Sequence, residues 1–185
     1  MKKILFVHIK DPSTDFLEVV YKDRPHSTIV RANVGVQAMN NLIECHDQVV
    51  MMGHGSSSGL FGPSGEYIID HRNVNALAAK DNNVFIWCYA STFVHKYMLK
   101  GFSTSMFISE HAEAMWALPA NAYDAADEHS IVESNYLFVS LVRKHLEQDV
   151  TDMSKCIIES YIDENLVADN KNVLNYNRNG LQTFI

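Results

Sequence analysis

Five short apolar runs, separated by segments of helical periodicity, constrain this chain more than any other feature. The runs are rich in Val, Ile and Phe and do not alternate with polar residues, which is typical of strands buried on both faces of a parallel sheet. They cover residues 4–9, 28–30, 49–52, 84–87 and 105–108. Because strands and helices alternate, the sequence predicts an α/β fold with a doubly wound sheet.

Helical segments are recognised between and after these runs by the spacing of their apolar residues. They lie near residues 16–20, 36–43, 74–78, 93–98, 132–146 and 153–162. Three polar stretches, 53–65, 112–130 and 165–180, are predicted to be loops. A chain of 185 residues, of which 47% are apolar, is long enough to bury one core, so we predict a single domain over residues 1–185.

The charge balance and the apolar runs argue against two classes of partner. The formal net charge is −7 and no cluster of Lys or Arg occurs, so we expect no nucleic-acid partner. No run approaches the length of a membrane span, and the first run is too short for a signal peptide. We therefore expect no membrane partner and a cytoplasmic location.

The cysteine pattern points away from disulfides and metal. The three cysteines, at positions 45, 88 and 156, are odd in number and form no CxxC pair, so neither a disulfide framework nor a cysteine zinc site is indicated. We expect no metal site and no cofactor, and a thiol that stays free in the cytoplasm.

Two chemically active residues each follow an apolar run directly. His54 stands in Met52-Gly53-His54-Gly55, and Cys88 follows Ile86-Trp87. Ligands of open α/β sheets bind at the carboxyl ends of the strands, so the imidazole and the thiol are predicted to meet there. An imidazole beside a thiol activates it as a nucleophile, and the pairing predicts that Cys88 is the most reactive of the three thiols.

Acyl transfer by such a pair also needs hydrogen-bond donors for the oxyanion. Gly55 has no side chain to obstruct its own N–H, and the Cys88 N–H is the natural second donor. We therefore predict an oxyanion hole formed by the backbone of Gly55 and Cys88.

These motifs resemble those of the caspase-like cysteine peptidases, a group that includes caspases, metacaspases, gingipains, clostripain, separase and CHAT domains. In that group an apolar strand ends in His-Gly, and a later apolar strand ends in the nucleophilic Cys. The resemblance covers two short motifs and the strand–helix order of roughly residues 1–145. It implies a three-layer sandwich with a mostly parallel sheet of about six strands flanked by helices. It also implies that His54 is the general base and acid and Cys88 the nucleophile.

The resemblance further implies a peptide or protein substrate, and a regulatory protein is a second expected partner. The caspase segment Gln-Ala-Cys-Arg-Gly is absent, because residues 86–90 read Ile-Trp-Cys-Tyr-Ala, so cleavage after Asp does not carry over. Relatives that cut after Arg or Lys hold an acidic residue in the substrate pocket. By position, Asp11 and Glu110 are the candidates for substrate binding.

Three alternatives remain open at the level of sequence. The first is a caspase-like domain that binds partners without turnover. The second is a phosphate-binding loop at residues 53–65, although this stretch has neither a P-loop Gly-Lys-Ser/Thr nor a GxGxxG pattern. The third is a class I glutamine amidotransferase, which is disfavoured because there the cysteine precedes the histidine and has glycine neighbours.

Overall fold

The predicted α/β class is confirmed by a computed structural model that describes residues 2–9, 11–119, 126–165 and 171–185. The strands are β1 Ile4–His8, β2 Thr28–Val30, β3 Gln48–Met52, β4 Gly55–Ser56, β5 Gly59–Phe61, β6 Tyr67–Ile69, β7 Asn83–Ile86, β8 Gly101–Thr104 and β9 Leu181–Phe184. The helices are α1 Val36–Glu44, α2 Val74–Ala78, α3 Ala90–Lys96, α4 His111–Ala117, α5 Glu128–His145, α6 Val150–Asn165 and α7 Lys171–Asn179. Two short 3₁₀ helices span Asp15–Val20 and His71–Asn73.

Six strands form the main sheet in the order β2-β1-β3-β7-β8-β9. The first five pair in parallel, and β9 runs antiparallel to β8 at the edge. Strands β4, β5 and β6 form a separate small antiparallel sheet directly after β3. The predicted sheet of about six mostly parallel strands is therefore present.

Alternate residues of each central strand pack into two different cores. Ile4 and Phe6 of β1 face the core built by the first 3₁₀ helix, α5, α6 and α7. Leu5 and Val7 face the opposite core, built by α1, α2, α3 and the small sheet. Burial of both faces explains why these strands read as continuous apolar runs. The result is the three-layer arrangement of helices, sheet and helices.

Several sequence-based boundaries are corrected by the structure. The fifth strand is Gly101–Thr104 and not 105–108, because its polar Ser103 and Thr104 are buried between β7 and β9. The three stretches predicted to be loops contain regular structure: β4 and β5 lie in 53–65, most of α4 and the start of α5 lie in 112–130, and α7 lies in 165–180. Residues 120–125 and 166–170 of these predicted loops lie outside the described residues. On α5, Val132 and Tyr136 are exposed and not part of the core.

The register of the central strands sets three chain segments side by side. His8 of β1 pairs with Met52 of β3, and Met52 pairs with Ile86 of β7. The residues that follow these three positions therefore leave the sheet at the same carboxyl edge. That edge is where ligands bind in open α/β sheets. Within the described ranges, no helix is long and apolar enough to cross a membrane.

Candidate active site at the carboxyl edge

A glycine turn carries the chain from β3 to His54. Gly53 has φ +139°, a conformation that favours glycine, and its N–H donates to the carbonyl of Ile86 at 3.1 Å. The turn ends β3 beside the last residue of β7 and leads into the hairpin of β4 and β5. The histidine is thus fixed to the sheet edge on one side and to a hairpin on the other.

Trp87 holds this hairpin against the strand that carries the cysteine. Its indole Nε1–H donates to the carbonyl of Ser56 at 3.0 Å, and only 2% of its surface is exposed. A Cβ on Gly55 would lie 2.2 Å from Trp87 Cδ1, so any side chain at Gly55 would displace the ring. Gly55 is therefore required by packing as well as by access to its N–H.

The His54 ring makes polar contacts with the segment after β1. Its Nε2 lies 2.7 Å from Ser13 Oγ and 3.4 Å from Asp11 Oδ1. Ser13 Oγ also donates to Asp11 Oδ1 at 2.6 Å. About 44% of the His54 side chain is exposed. The imidazole is therefore open to solvent and anchored through one nitrogen.

Cys88 lies in the turn between β7 and α3. Tyr89, the next residue, adopts a left-handed conformation with φ 65° and ψ 23° and precedes the first residue of α3. The hydroxyl of Thr104 donates to the carbonyl of Trp87 at 2.9 Å, and Tyr89 N–H donates to Ser105 O at 3.2 Å. Both contacts tie the turn to the end of β8, which fixes the thiol at the sheet edge.

A carboxylate on α4 is the polar partner of the thiol. Cys88 Sγ donates to Glu113 Oε1 at 3.7 Å. The other oxygen, Oε2, accepts from Ser109 N, Ser109 Oγ and Glu110 N at 2.7, 2.8 and 3.2 Å. Burial, and to a smaller degree the nearby charges of Glu113 and Glu110, raise the pKa of the Cys88 thiol to about 11, against the lowering effect of a Phe107 N–H.

The segment that leads to Glu113 is held in place by hydrogen bonds to two asparagine side chains. Asn177 of α7 accepts from Ile108 N at 2.7 Å and donates to Ile108 O at 3.0 Å. Asn135 of α5 donates to Ser109 O at 2.8 Å. Both asparagines are buried. These side chains, one from α5 and one from α7, form a polar scaffold that holds the residues before α4 and so keeps Glu113 near the thiol.

His54 and Cys88 line the same small cavity, together with Glu113. Its volume is about 30 Å³, and its other walls are mostly apolar. The rest of the lining is Thr14, Phe16, Leu17, Gly53, Ile86, Trp87, Thr104, Phe107, Ser109 and Phe138. No hydrogen bond joins the His54 ring to Cys88 Sγ among the described residues.

Both predicted oxyanion donors lie at this edge. Phe61 N–H donates to the carbonyl of His54, and Gly55 pairs with Leu60 one step further along the ladder. Gly55 is thus in a non-hydrogen-bonded pair, so its N–H points away from β5. For Cys88 N–H, no acceptor is found among the described residues.

Asp11 and Glu110, the predicted substrate-binding acids, do not line the cavity that His54 and Cys88 share. Asp11 contacts Ser13 and His54. Glu110 precedes α4 and lines a neighbouring groove of about 510 Å³, together with Ser13, Ser109 and Tyr136. Sequence reasoning missed Ser13 and Glu113. The Asp-Pro-Ser-Thr turn at 11–14 was a usable signal for Ser13, whereas nothing near Glu113 in the sequence marks it.

Comparisons with known proteins do not identify a family for this chain. No protein-family model matches the chain, and no curated protein and no solved structure is found to be similar to it. The fold and the residues at its carboxyl edge therefore carry the functional argument.

Proposed function

We propose that the protein is a caspase-like cysteine peptidase that uses Cys88 as nucleophile and His54 as general base and acid. The observation that carries this proposal is the shared cavity, because an imidazole and a thiol from adjacent parallel strands line it together. The mostly parallel six-stranded sheet agrees with the fold that the resemblance implies.

In the proposed mechanism, the Cys88 thiol gives its proton to the imidazole as the sulfur attacks the peptide carbonyl carbon. The carbonyl oxygen becomes an oxyanion that accepts from the N–H groups of Gly55 and Cys88. The C–N bond then breaks, the amine leaves with the proton from His54, and a thioester remains. Water attacks the thioester carbon and passes a proton to His54. The C–S bond then breaks, the carboxylic acid product leaves, and the sulfur takes the proton back from His54 to restore the thiol.

The substrate is a peptide or protein, with cleavage after a basic residue. Glu113 in the cavity and Glu110 in the adjoining groove supply negative charge beside the nucleophile, and carboxylates pair well with Lys or Arg side chains. A cavity of about 30 Å³ has room for little more than a water molecule. Substrate entry therefore requires that the cavity widens. Substrate binding itself supplies this widening, and a regulatory protein that favours the wider form, and so raises the rate of cleavage, is the second proposed partner.

A second candidate function is a binding or scaffold domain of the same fold without turnover. The observation that favours it is the Cys88 thiol itself, which is half-buried and donates to Glu113. Its raised pKa of about 11 keeps the sulfur protonated at neutral pH. In either case the three cysteines are free thiols, which suits the reducing cytoplasm we propose as its location.

The deciding experiment is hydrolysis of a diverse peptide library by the intact protein. We expect cleavage after Lys or Arg and its loss by at least about a thousandfold in Cys88→Ala and in His54→Ala. Cys45→Ala and His26→Ala, which change exposed residues of the same types, serve as matched controls and retain full activity.

The two candidate functions differ in what the library shows. Cleavage that survives Cys88→Ala would refute the mechanism. The absence of cleavage, with an intact thermal unfolding transition, would favour the binding domain. A peptide acyloxymethyl ketone with Lys before the reactive carbonyl provides a second readout, because the proposed enzyme forms a covalent bond with it at Cys88.

A further inference from the structure

The contact between Asp11, Ser13 and His54 fixes the direction of its hydrogen bonds. Ser13 Oγ is 2.6 Å from Asp11 Oδ1, and Ser13 N–H also donates to that oxygen at 3.0 Å. An ionised carboxylate only accepts hydrogen bonds, so the single hydroxyl hydrogen of Ser13 points to Asp11. The remaining contact, 2.7 Å from Ser13 Oγ to His54 Nε2, then requires that the ring nitrogen donates.

The Asp11 carboxylate is well suited to accept these hydrogen bonds. The hydroxyl and the N–H of Ser13, followed by His54, lower the pKa of Asp11. The carboxyl group therefore stays ionised at neutral pH and remains an acceptor. Its direct approach to His54 Nε2 at 3.4 Å adds attraction for the proton on the same nitrogen.

We infer that Asp11 and Ser13 are positioning residues that hold the His54 ring with its proton on Nε2. The lone pair of Nδ1 is then the proton acceptor. Within the described part of the chain, Nδ1 has no hydrogen-bond partner, so it is available to take a proton from the thiol. This inference deepens the proposed function and rests on it for its catalytic meaning, because a base must present an unprotonated nitrogen.

The local sequence after β1 explains how the Ser13 hydroxyl is placed beside the His54 ring. Asp11-Pro12-Ser13-Thr14 follows β1, the sheet neighbour of β3. Thr14 N–H donates to the Asp11 carbonyl at 2.9 Å, and the Asp11 side chain caps the turn from within. An Asp side chain that accepts from the backbone N–H two residues on forms an Asx turn. The turn therefore delivers both polar groups to the carboxyl edge beside His54.

The tautomer is measurable without any peptidase activity. Nitrogen-15 NMR of the protein at about pH 8, where an ordinary imidazole is neutral, separates a protonated ring nitrogen from an unprotonated one. We expect a protonated Nε2 and an unprotonated Nδ1 on His54. In Ser13→Ala we expect a shift of population toward the Nδ1–H form, whereas Ser13→Thr, which keeps a hydroxyl, retains the wild-type form.

Ser64→Ala is the matched control, because Ser64 also follows a proline and donates its N–H to an acidic side chain, that of Glu66. It should leave the His54 spectrum unchanged. An Nδ1–H form in the wild type, an unchanged spectrum in Ser13→Ala, or a Ser13→Thr spectrum equal to that of Ser13→Ala would overturn the inference.

The inference about the His54 tautomer and the proposed peptidase function can be refuted independently of each other. If His54 has the expected tautomer but Cys88→Ala does not affect peptide cleavage, or no cleavage occurs, the positioning pair stands and the peptidase is refuted. If cleavage depends on Cys88 while the tautomer is reversed, the peptidase stands and the positioning pair is refuted.

Discussion

The imidazole side and the thiol side of the candidate site are built in opposite ways. His54 is 44% exposed on its side chain and is anchored through polar contacts to Ser13 and Asp11. Cys88 is half-buried among apolar walls and faces a carboxylate. The imidazole is thus reached by solvent, whereas burial raises the pKa of the Cys88 thiol to about 11. The difference teaches that two neighbouring strand ends can place reactive groups in very different surroundings.

The largest effect that this comparison predicts belongs to His8, which ends β1 at the same edge but is fully buried. Burial lowers the pKa of His8 from 6.5 to about 4. Between these values the unfolded chain binds a proton that the folded chain does not, so stability falls as the pH is lowered from 6.5 to 4. The full loss is at most about 3 kcal/mol.

Chemical denaturation between about pH 7 and pH 4 measures this loss. His8→Gln, which cannot titrate, should reduce the dependence on pH, and His26→Gln, at an exposed histidine, should leave it as in the wild type. A His8→Gln protein with the same dependence on pH as the wild type would show that burial of His8 does not matter.

The second prediction concerns the order in which the thiols react in the absence of substrate. Iodoacetamide should label exposed Cys45 about a hundredfold faster than Cys88, because burial shields the Cys88 sulfur and raises its pKa to about 11. Mass spectrometry of timed samples measures the rates, and in denaturant the two should become similar. Faster labelling of Cys88 would break the comparison and favour the sequence-based prediction that it is the most reactive thiol.

A third prediction tests whether packing couples the β4–β5 hairpin, which follows His54, to the turn that carries Cys88. Gly55→Ala places a methyl group against Trp87 and should lower the free energy of unfolding by about 2 kcal/mol. It should also change the rate at which Cys88 is labelled, because Trp87 precedes Cys88 directly. Ser57→Ala, at an exposed position of the same hairpin, is the control, and equal stability of the two variants would show that the contact is loose.

The smallest effect is expected for Glu113. Glu113→Gln keeps an oxygen acceptor for Ser109 but removes a negative charge beside Cys88. Burial is the larger cause of the raised pKa of Cys88, so we expect labelling of Cys88 to rise several-fold and less than about tenfold. Glu110→Gln removes the same charge at the first residue before α4 and should have a smaller effect. Slower labelling in Glu113→Gln would contradict the prediction.

Much of the fold could be predicted from the sequence where the signal is local. The sequence predicts strands β1, β2, β3 and β7 to within one residue, because each is a short run of mostly apolar residues; β1, β3 and β7 are buried throughout, whereas Ile29 of β2 is exposed. The sequence does not predict the sixth strand, β9, because Leu181–Phe184 is a short edge strand with one buried residue. It does not predict helix α7 either, because asparagine is a weak helix former, although Asn177 is buried and bonded to Ile108.

Of the candidate site, the sequence predicts only the residues that directly follow a strand. The residues His54 and Cys88 follow apolar runs, and the sheet order brings the two runs side by side. The partners of these residues come from chain segments that the sequence treats as ordinary turns. Ser13 depends on the turn after β1, and Glu113 depends on α4 and on a scaffold that includes α7, so their positions follow from tertiary packing.

The contact between Trp87 and the β4–β5 hairpin has an optical consequence. The chain has two tryptophans, of which Trp87 is 2% exposed and Trp116 is 91% exposed. Trp116→Phe would leave one indole, whose emission depends on the packing of Gly55 and on the bond to the Ser56 carbonyl. The protein would then contain its own fluorescent reporter, and any ligand or partner that lifts the hairpin away from Cys88 would shift its emission to longer wavelength.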